Sequence, residues 1–185
     1  MSVIQYDESF AQYFQPELPE HLKPLYIYGN CNGLVCLCDS PVIASRNIFL
    51  WNPALRILKT LPKPQIVEFG LPLASHSSSV AMGFDYRDNV YKVVMIVSPR
   101  PDMDNPYDNS SFLVEVYSLS TDSWRRIDVA APSYCIHGCP PEFMRGVAYW
   151  TAYRKTKWNY VYTILQFEMA DEVFKELLLP NGVQH

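Results

Sequence analysis

The stretch VEVYSLSTDSWRRID, Val114–Asp128, runs an apolar strand into a polar Ser-Thr-Asp turn and then opens a second strand at Trp124. β-Branched and aromatic residues at period two suit a pleated, half-buried surface, and the small polar cluster between them supplies the turn. The same unit stands at IFLWNPALRILKTLP (Ile48–Pro62) and at ILQFEMADEVFKELLLP (Ile164–Pro180), with second strands opening near Leu58 and Phe174. From Trp124 to Phe174 is 50 residues (124 to 174), within the roughly 40–50-residue period of propeller blades. Trp51 and Tyr117 lie 66 apart (51 to 117), and a loop insertion such as Pro62–His76 absorbs the excess. A single strand-turn-strand sheet cannot bury both faces, so such units stack face to face around an axis. A meandering β-sandwich also repeats hairpins and is the competing architecture at this point.

Working outward, further strand-like runs stand at Leu34–Leu37, Ser79–Asp85, Tyr91–Val97, Leu113–Leu119, Gly146–Thr151 and Tyr160–Phe167, about eleven in all. Pro, Asn, Asp and Ser clusters at Cys38–Pro41, Asn52–Pro53, Ser98–Asn109 and Ala131–Pro141 read as turns or loops. Residues 1–22 carry no period. With 15 Pro, 7 Gly and 14% aromatic residues the chain favours strands over helices. We expect an all-β fold, a kelch-like β-propeller or partial propeller built from repeated antiparallel strand units. The expected organisation is an N-terminal arm (1–28), the β array (29–180) and a short tail (181–185).

The net charge of −4, with no long Lys/Arg run, excludes a phosphate-neutralising surface, so no nucleic acid is expected. No apolar stretch is long enough for a helical membrane span, and the N-terminus lacks the basic-then-apolar order of a signal peptide. The expected setting is therefore cytoplasmic, with the nucleus as a second compartment.

Five blocks in order carry a resemblance: GNCNGLVCL (Gly29–Leu37), WNPALR (Trp51–Arg56), GFDYRDNVYKVV (Gly83–Val94), VEVYSLSTDSWRRI (Val114–Ile127) and RGVAYWTA (Arg145–Ala152). Together they resemble the F-box-associated interaction domain of plants, and the middle blocks are most similar to S-locus F-box and S-locus F-box-like proteins. The resemblance implies a kelch-like propeller that selects a protein substrate for an SCF-type ubiquitin ligase. An F-box would engage the Skp adaptor and, through it, cullin; no Leu-Pro-rich helical segment of that kind precedes Gly29. It also implies a candidate substrate, a basic S-ribonuclease of self-incompatibility. Two positions depart from the family pattern. RDNVYKVV lacks the usual acidic residue before Tyr, and Arg145-Gly146 stands where Asn-Gly would favour a type I′ turn. Three units fall short of the four to eight blades of a closed ring.

Chemistry-bearing clusters read mostly as packing. Cys36 and Cys38 are too close for a zinc pair and share one strand face; Cys31 accompanies them. Cys135, His137 and Cys139 offer metal-like spacing in a Pro-flanked loop, without a fourth ligand. No nucleophile motif, phosphate loop or metalloprotease motif is present, so no enzyme activity, metal or cofactor is expected. Trp51, Trp124 and Trp150 read as inter-blade core, their indoles bonded to backbone. Trp158 stands in the cationic YRKTKWNY (Tyr153–Tyr160), either as an exposed anchor or folded onto its own hairpin. Long loops on a rigid scaffold carry recognition, so the expected partner-binding residues are Arg100, Asp102, Asp104 and Tyr107 in one loop and Arg154, Lys155, Lys157 and Trp158 in the other. A lectin-like module stacking Tyr107 and Trp158 on sugar rings is the rival reading. A third is a truncated, non-functional product, or one that competes with full-length relatives.

Overall fold

In the computed structural model, residues 5–6, 12–14, 25–40, 46–67, 76–99, 113–128, 134–136, 140–155 and 159–179 are described. Among them there is no α-helix; a 3₁₀ turn at Gln65–Val67 interrupts an otherwise all-strand chain. Blade I comprises β3 (Tyr26–Cys31), β4 (Leu34–Cys38), β5 (Ile48–Asn52) and β6 (Ile57–Thr60). Blade II comprises β7 (His76–Asp85), β8 (Val90–Pro99), β9 (Leu113–Ser118) and β10 (Ser123–Ile127). In blade III, β11 (Cys135–Ile136) and β12 (Glu142–Met144) both pair with β13 (Val147–Lys155), followed by β14 (Tyr160–Glu168) and β15 (Val173–Leu178). Every blade is antiparallel, with its strands side by side in chain order. This is the expected array of repeated antiparallel units.

The repeat has a direct structural meaning. Trp51 pairs with Leu58, Tyr117 with Trp124 and Phe167 with Phe174, each one pair in from the four-residue turn between the two outer strands of a blade. The last residue of each turn adopts positive φ: Arg56 (55°), Asp122 (50°) and Glu172 (55°). The large pair at the strand ends fixes the register that such a turn requires.

Blade II is the middle layer. Val93, Met95 and Val97 join Cys36, Cys38, Ile48 and Leu50 of blade I in one buried cluster. Val94, Ile96, Val114 and Val116 join Ala148, Trp150, Leu165 and Phe167 of blade III in another. A strand buried on both faces needs apolar residues at successive positions, which is why YKVVMIV does not alternate. Gly83 on β7 makes the second joint possible. A Cβ there would lie 2.5 Å from Phe143 Cε2 and 2.6 Å from Met169 Cε.

Several expectations need correction. The apparently patternless N-terminus contributes a small sheet, β1 (Gln5–Tyr6) paired with β2 (Gln12–Phe14). Tyr26–Cys31 is a full strand although its sequence does not alternate, because the register shifts between Ile27 and Gly29. The Ala131–Pro141 cluster, read as a loop, contains β11, held by pairing to Tyr153 and Ala152. Arg145-Gly146 keeps positive φ at both residues (51° and 86°), so the tight turn survives the departure from Asn-Gly. Trp51 is not between described blades; it lies with Leu37 and Phe49 on the face of blade I away from blade II.

Gly83→Ala should lower the free energy of unfolding by about 1–3 kcal/mol, since the added methyl must displace the packed Phe143 ring and the Met169 methyl. Equilibrium urea denaturation followed by Trp fluorescence measures it; an unchanged midpoint would show that the β7–β12 joint is loose.

Candidate protein-binding surfaces

Antiparallel meanders place successive connections at alternate ends of a blade; here the 13-residue β8–β9 connection marks one end as the long-loop end. Residues 86–89, 119–122, 145–146 and 169–172 turn at one end of blades II and III. The β8–β9 and β13–β14 connections leave from the other end. Two contacts align the blades end to end. At the short-turn end Lys92 of β8 reaches the Met169 carbonyl at 2.7 Å. At the long-loop end Ile136 N–H donates to Ser98 Oγ at 3.4 Å.

Both groups of sequence-predicted partner residues belong to connections at that long-loop end. Arg100, Asp102, Asp104 and Tyr107 lie in the β8–β9 connection, and Lys157 and Trp158 in the β13–β14 connection; all six fall outside the described residues. Of Arg154 and Lys155 only the backbone is described, at the end of β13 opposite Val161 and Tyr160. Next to them, Tyr153 packs edge-on to Tyr160 at 5.6 Å and tilted on Tyr162 at 5.9 Å. Sequence reasoning missed this tyrosine cluster, although strict alternation in TAYRK and NYVYT marks its members as sharing a face.

The short-turn end is built around a buried cation. Lys92 Nζ donates to Asp85 Oδ2 at 2.8 Å, Glu172 Oε1 at 2.9 Å and the Met169 carbonyl at 2.7 Å, using all three of its protons. Asp85 accepts N–H bonds from Arg87 (2.9 Å) and Asp88 (3.1 Å) through its other oxygen, and Arg125 pairs with Glu172. Arg87 spans to Asp171 at 2.6 Å and to the Ala170 carbonyl, an exposed contact that adds little. Burial pushes the Asp85 carboxyl up, but the Lys92 ammonium and two backbone N–H groups outweigh it and hold it below the ordinary range. Burial likewise lowers Lys92, and the hydrogen bonds from Asp85 and Glu172 more than reverse that. A lysine inside an apolar run, as in VYKVVMIV, was the available sequence signal, since such a charge needs partners. Beside this network opens a polar cleft of about 490 Å³ lined by Asp88, Ser118, Ser120, Ser123, Arg125 and Asp171.

The remaining clusters are structural. Cys36 and Cys38 lie side by side in the blade I–II core, and their mutual hydrogen bond with burial holds the Cys36 thiol well above its ordinary value. Burial pushes Cys135 up to about 11, so the Cys36 and Cys135 thiols stay protonated and unreactive at neutral pH. His137 and Cys139, the other members of the metal-like trio, lie outside the described residues, and among those described no three His, Cys, Asp or Glu form a metal-binding group. Trp124 donates to the Pro62 carbonyl at 2.7 Å as expected of a core indole. Trp150 instead donates to a side chain, Ser79 Oγ, at 3.0 Å, because β7 presents a serine where blade III presses on it. No helix among the described residues is long and apolar enough to cross a membrane.

Residues 4–185 match the sequence profile of the F-box associated beta propeller domain. The chain belongs to that family. Among curated proteins of Arabidopsis thaliana, F-box protein At3g08750 is 29% identical over 170 residues, 88% of this chain and 40% of that protein. F-box/LRR-repeat/kelch-repeat protein At1g09650 is 30% identical, covering 79% of this chain and 37% of its own length. F-box protein CPR1 is 32% identical over 60% of this chain and 26% of its own. This F-box associated domain thus spans about two fifths or less of these curated relatives.

Lys92→Met should cost this F-box associated domain about 3–5 kcal/mol, because the fully buried Asp85 carboxylate loses its cation and the half-buried Glu172 loses one of two. The contribution of the depressed Asp85 is present above the ordinary carboxylate value of 3.8 and lost as pH falls through its lower folded value. The raised Lys92 contributes fully below its ordinary 10.5 and fails only above it. Denaturation curves at several pH values should therefore show the wild-type advantage on a plateau between these limits, shrinking at acid pH. An advantage of the same size at pH 2 would refute the assignment.

Proposed function

We propose that this chain is a protein-recognition module, not an enzyme, whose long-loop end holds a substrate for ubiquitination by an SCF-type ligase. The observation that carries the reading is topological. In a member of the F-box associated family, the connections bearing Arg100, Asp102, Asp104 and Tyr107 and those bearing Arg154, Lys155, Lys157 and Trp158 leave neighbouring blades at the same end. Rigid blades displaying adjacent variable-length loops are a common recognition design. The Tyr153–Tyr160–Tyr162 cluster adds low-entropy aromatic contact area beside the second connection. Recruitment of the Skp adaptor and cullin would pass through an F-box, the element named in the curated relatives. Action in the cytoplasm and nucleus is part of the same proposal.

The finer candidate for the substrate is a basic secreted ribonuclease of the S type. Its support is the likeness of the middle sequence blocks to S-locus F-box proteins, together with the chain's net charge of −4, which favours encounter with a basic partner.

The test is affinity purification from plant cells of the tagged chain, alone and with a grafted F-box. We expect both forms to recover one shared protein, and the grafted form alone to recover Skp and cullin. Replacing Arg154, Lys155 and Lys157 by Glu, or Asp102 and Asp104 by Lys, should reduce recovery of the shared protein at least about tenfold. Recovery unaffected by either set would remove the long-loop end from the proposal. Saturable binding on a glycan array with no shared protein would favour a lectin-like module instead.

A further inference from the structure

The joint between blades II and III holds a cleft at the short-turn end, away from the long connections. On the face that β8, β9 and β10 turn toward blade III, pairing sets Lys92, Ser118 and Ser123 in one row and Val94, Val116 and Arg125 in the next. Val94 and Val116 join the core shared with blade III, which identifies the face. The 169–172 turn of blade III forms the opposite wall, held over the sheet by Lys92 on the Met169 carbonyl and by Arg125 on Glu172. Between the two lies the polar cleft of about 490 Å³, within the size range of small-ligand sites. Both walls belong to neighbouring blades inside the described chain. The buried Val90 and Val116 lie at the bottom, and the exposed Asp88, Ser120, Thr121 and Asp171 stand at the rim.

The polar groups of the cleft divide unevenly into donors and acceptors. Lys92 commits all three protons to Asp85, Glu172 and the Met169 carbonyl. Arg87 bonds Asp171 and the Ala170 carbonyl. Arg125 is turned onto Glu172 and keeps its other N–H groups on the outer strand, where its charge directs an entering cation toward the β7–β8 turn. Four carboxylates (Asp85, Asp88, Asp171 and Glu172) meet three cations (Arg87, Lys92 and Arg125), which leaves one negative charge. It resides on Asp88 in that turn, which has no ion pair among the described residues. Asp122 pairs with Lys59 on the blade I side, and neither it nor Arg145 or Glu168 lines the cleft. The hydroxyls of Ser118 and Ser120, and of Ser123 and Thr121, bond in pairs and have lone pairs left to accept. Free acceptors above an apolar floor suit a group with several N–H donors, no acceptor and a methylene stem. A guanidinium has five donors in a planar fork that matches a carboxylate. We propose that this cleft is a binding site for an arginine side chain presented by a protein partner, a second contact at the end of the array opposite the long connections.

Titration of the isotopically labelled 185-residue chain with acetyl-arginine amide, followed by backbone amide chemical shifts, tests this against the citrulline analogue, which keeps the shape and lacks the charge. The arginine amide should give saturable shifts centred on Ser118, Ser123 and Ala170, with a dissociation constant in the millimolar range. The citrulline amide should bind at least about tenfold more weakly. Asp88→Asn should weaken binding of the arginine amide at least about fivefold. Asp88 is exposed and bonds Asp85 through its backbone N–H, so the substitution leaves the fold intact. Equal binding of the two amides, shifts that never saturate, or an Asp88→Asn chain that binds like the wild type would each overturn the proposal. None of these readouts needs an F-box or a ubiquitination substrate, so their failure is distinct from failure of the proposed function.

Discussion

Because the three inner strands of blade II, β7 to β9, have no solvent face, the other features of the array have to satisfy them. A sheet buried on both sides gains the apolar area of two interfaces, and it must also find an internal partner for every polar group it carries. Blade II carries several, and their partners come from its neighbours. Ser79 accepts the Trp150 indole N–H from blade III at 3.0 Å, and Glu115 accepts the Ile66 N–H from the segment after blade I at 2.9 Å. Lys92 bonds the turn of blade III. Each of these bonds fixes the angle and height of one blade against the next. Apolar packing alone would tolerate sliding by a residue pair; a buried ammonium with three fixed acceptors does not.

The same constraint explains the small residue at Gly83. Stacked twisted sheets converge at their inner strands, so side-chain volume must fall where the blades come closest. Phe143 and Met169 occupy the space a Cβ would take on β7. An aromatic ring from β12 thereby bridges the two core clusters on either side of blade II. Precision at the joint is bought with a glycine in a strand interior, which intrinsic propensity disfavours.

What could be read in the sequence follows from this physics. Outer strands alternate and end in large apolar residues around a four-residue turn, so Trp51–Leu58, Tyr117–Trp124 and Phe167–Phe174 stood out as a repeat. The inner strands did not. β3 has a register shift, and the first-strand position of blade III is divided between β11 and β12, which are two and three residues long and flanked by Pro140 and Pro141. Their pairing is imposed by β13 and leaves no local period. At the surfaces, loop composition pointed to two connections, and topology assigns both to one end.

The two ends of the array thus meet opposite demands. At one end, short turns carry the buried charges, and four residues or fewer connect the strands, which keeps the closure cost of each loop small. At the other, a 13-residue connection (100–112) joins β8 to β9, longer than pairing requires, while four residues (156–159) join β13 to β14. Substitutions there leave the Lys92 network and the Gly83 joint untouched, because neither reaches that end. A scaffold organised this way can change the connections at that end without changing its stacking. Conversely, a change in stacking at blade III would move the two connections relative to each other, since one hangs from blade II and the other from blade III. The geometry of any surface that the two connections form together is therefore set by the joint between these blades.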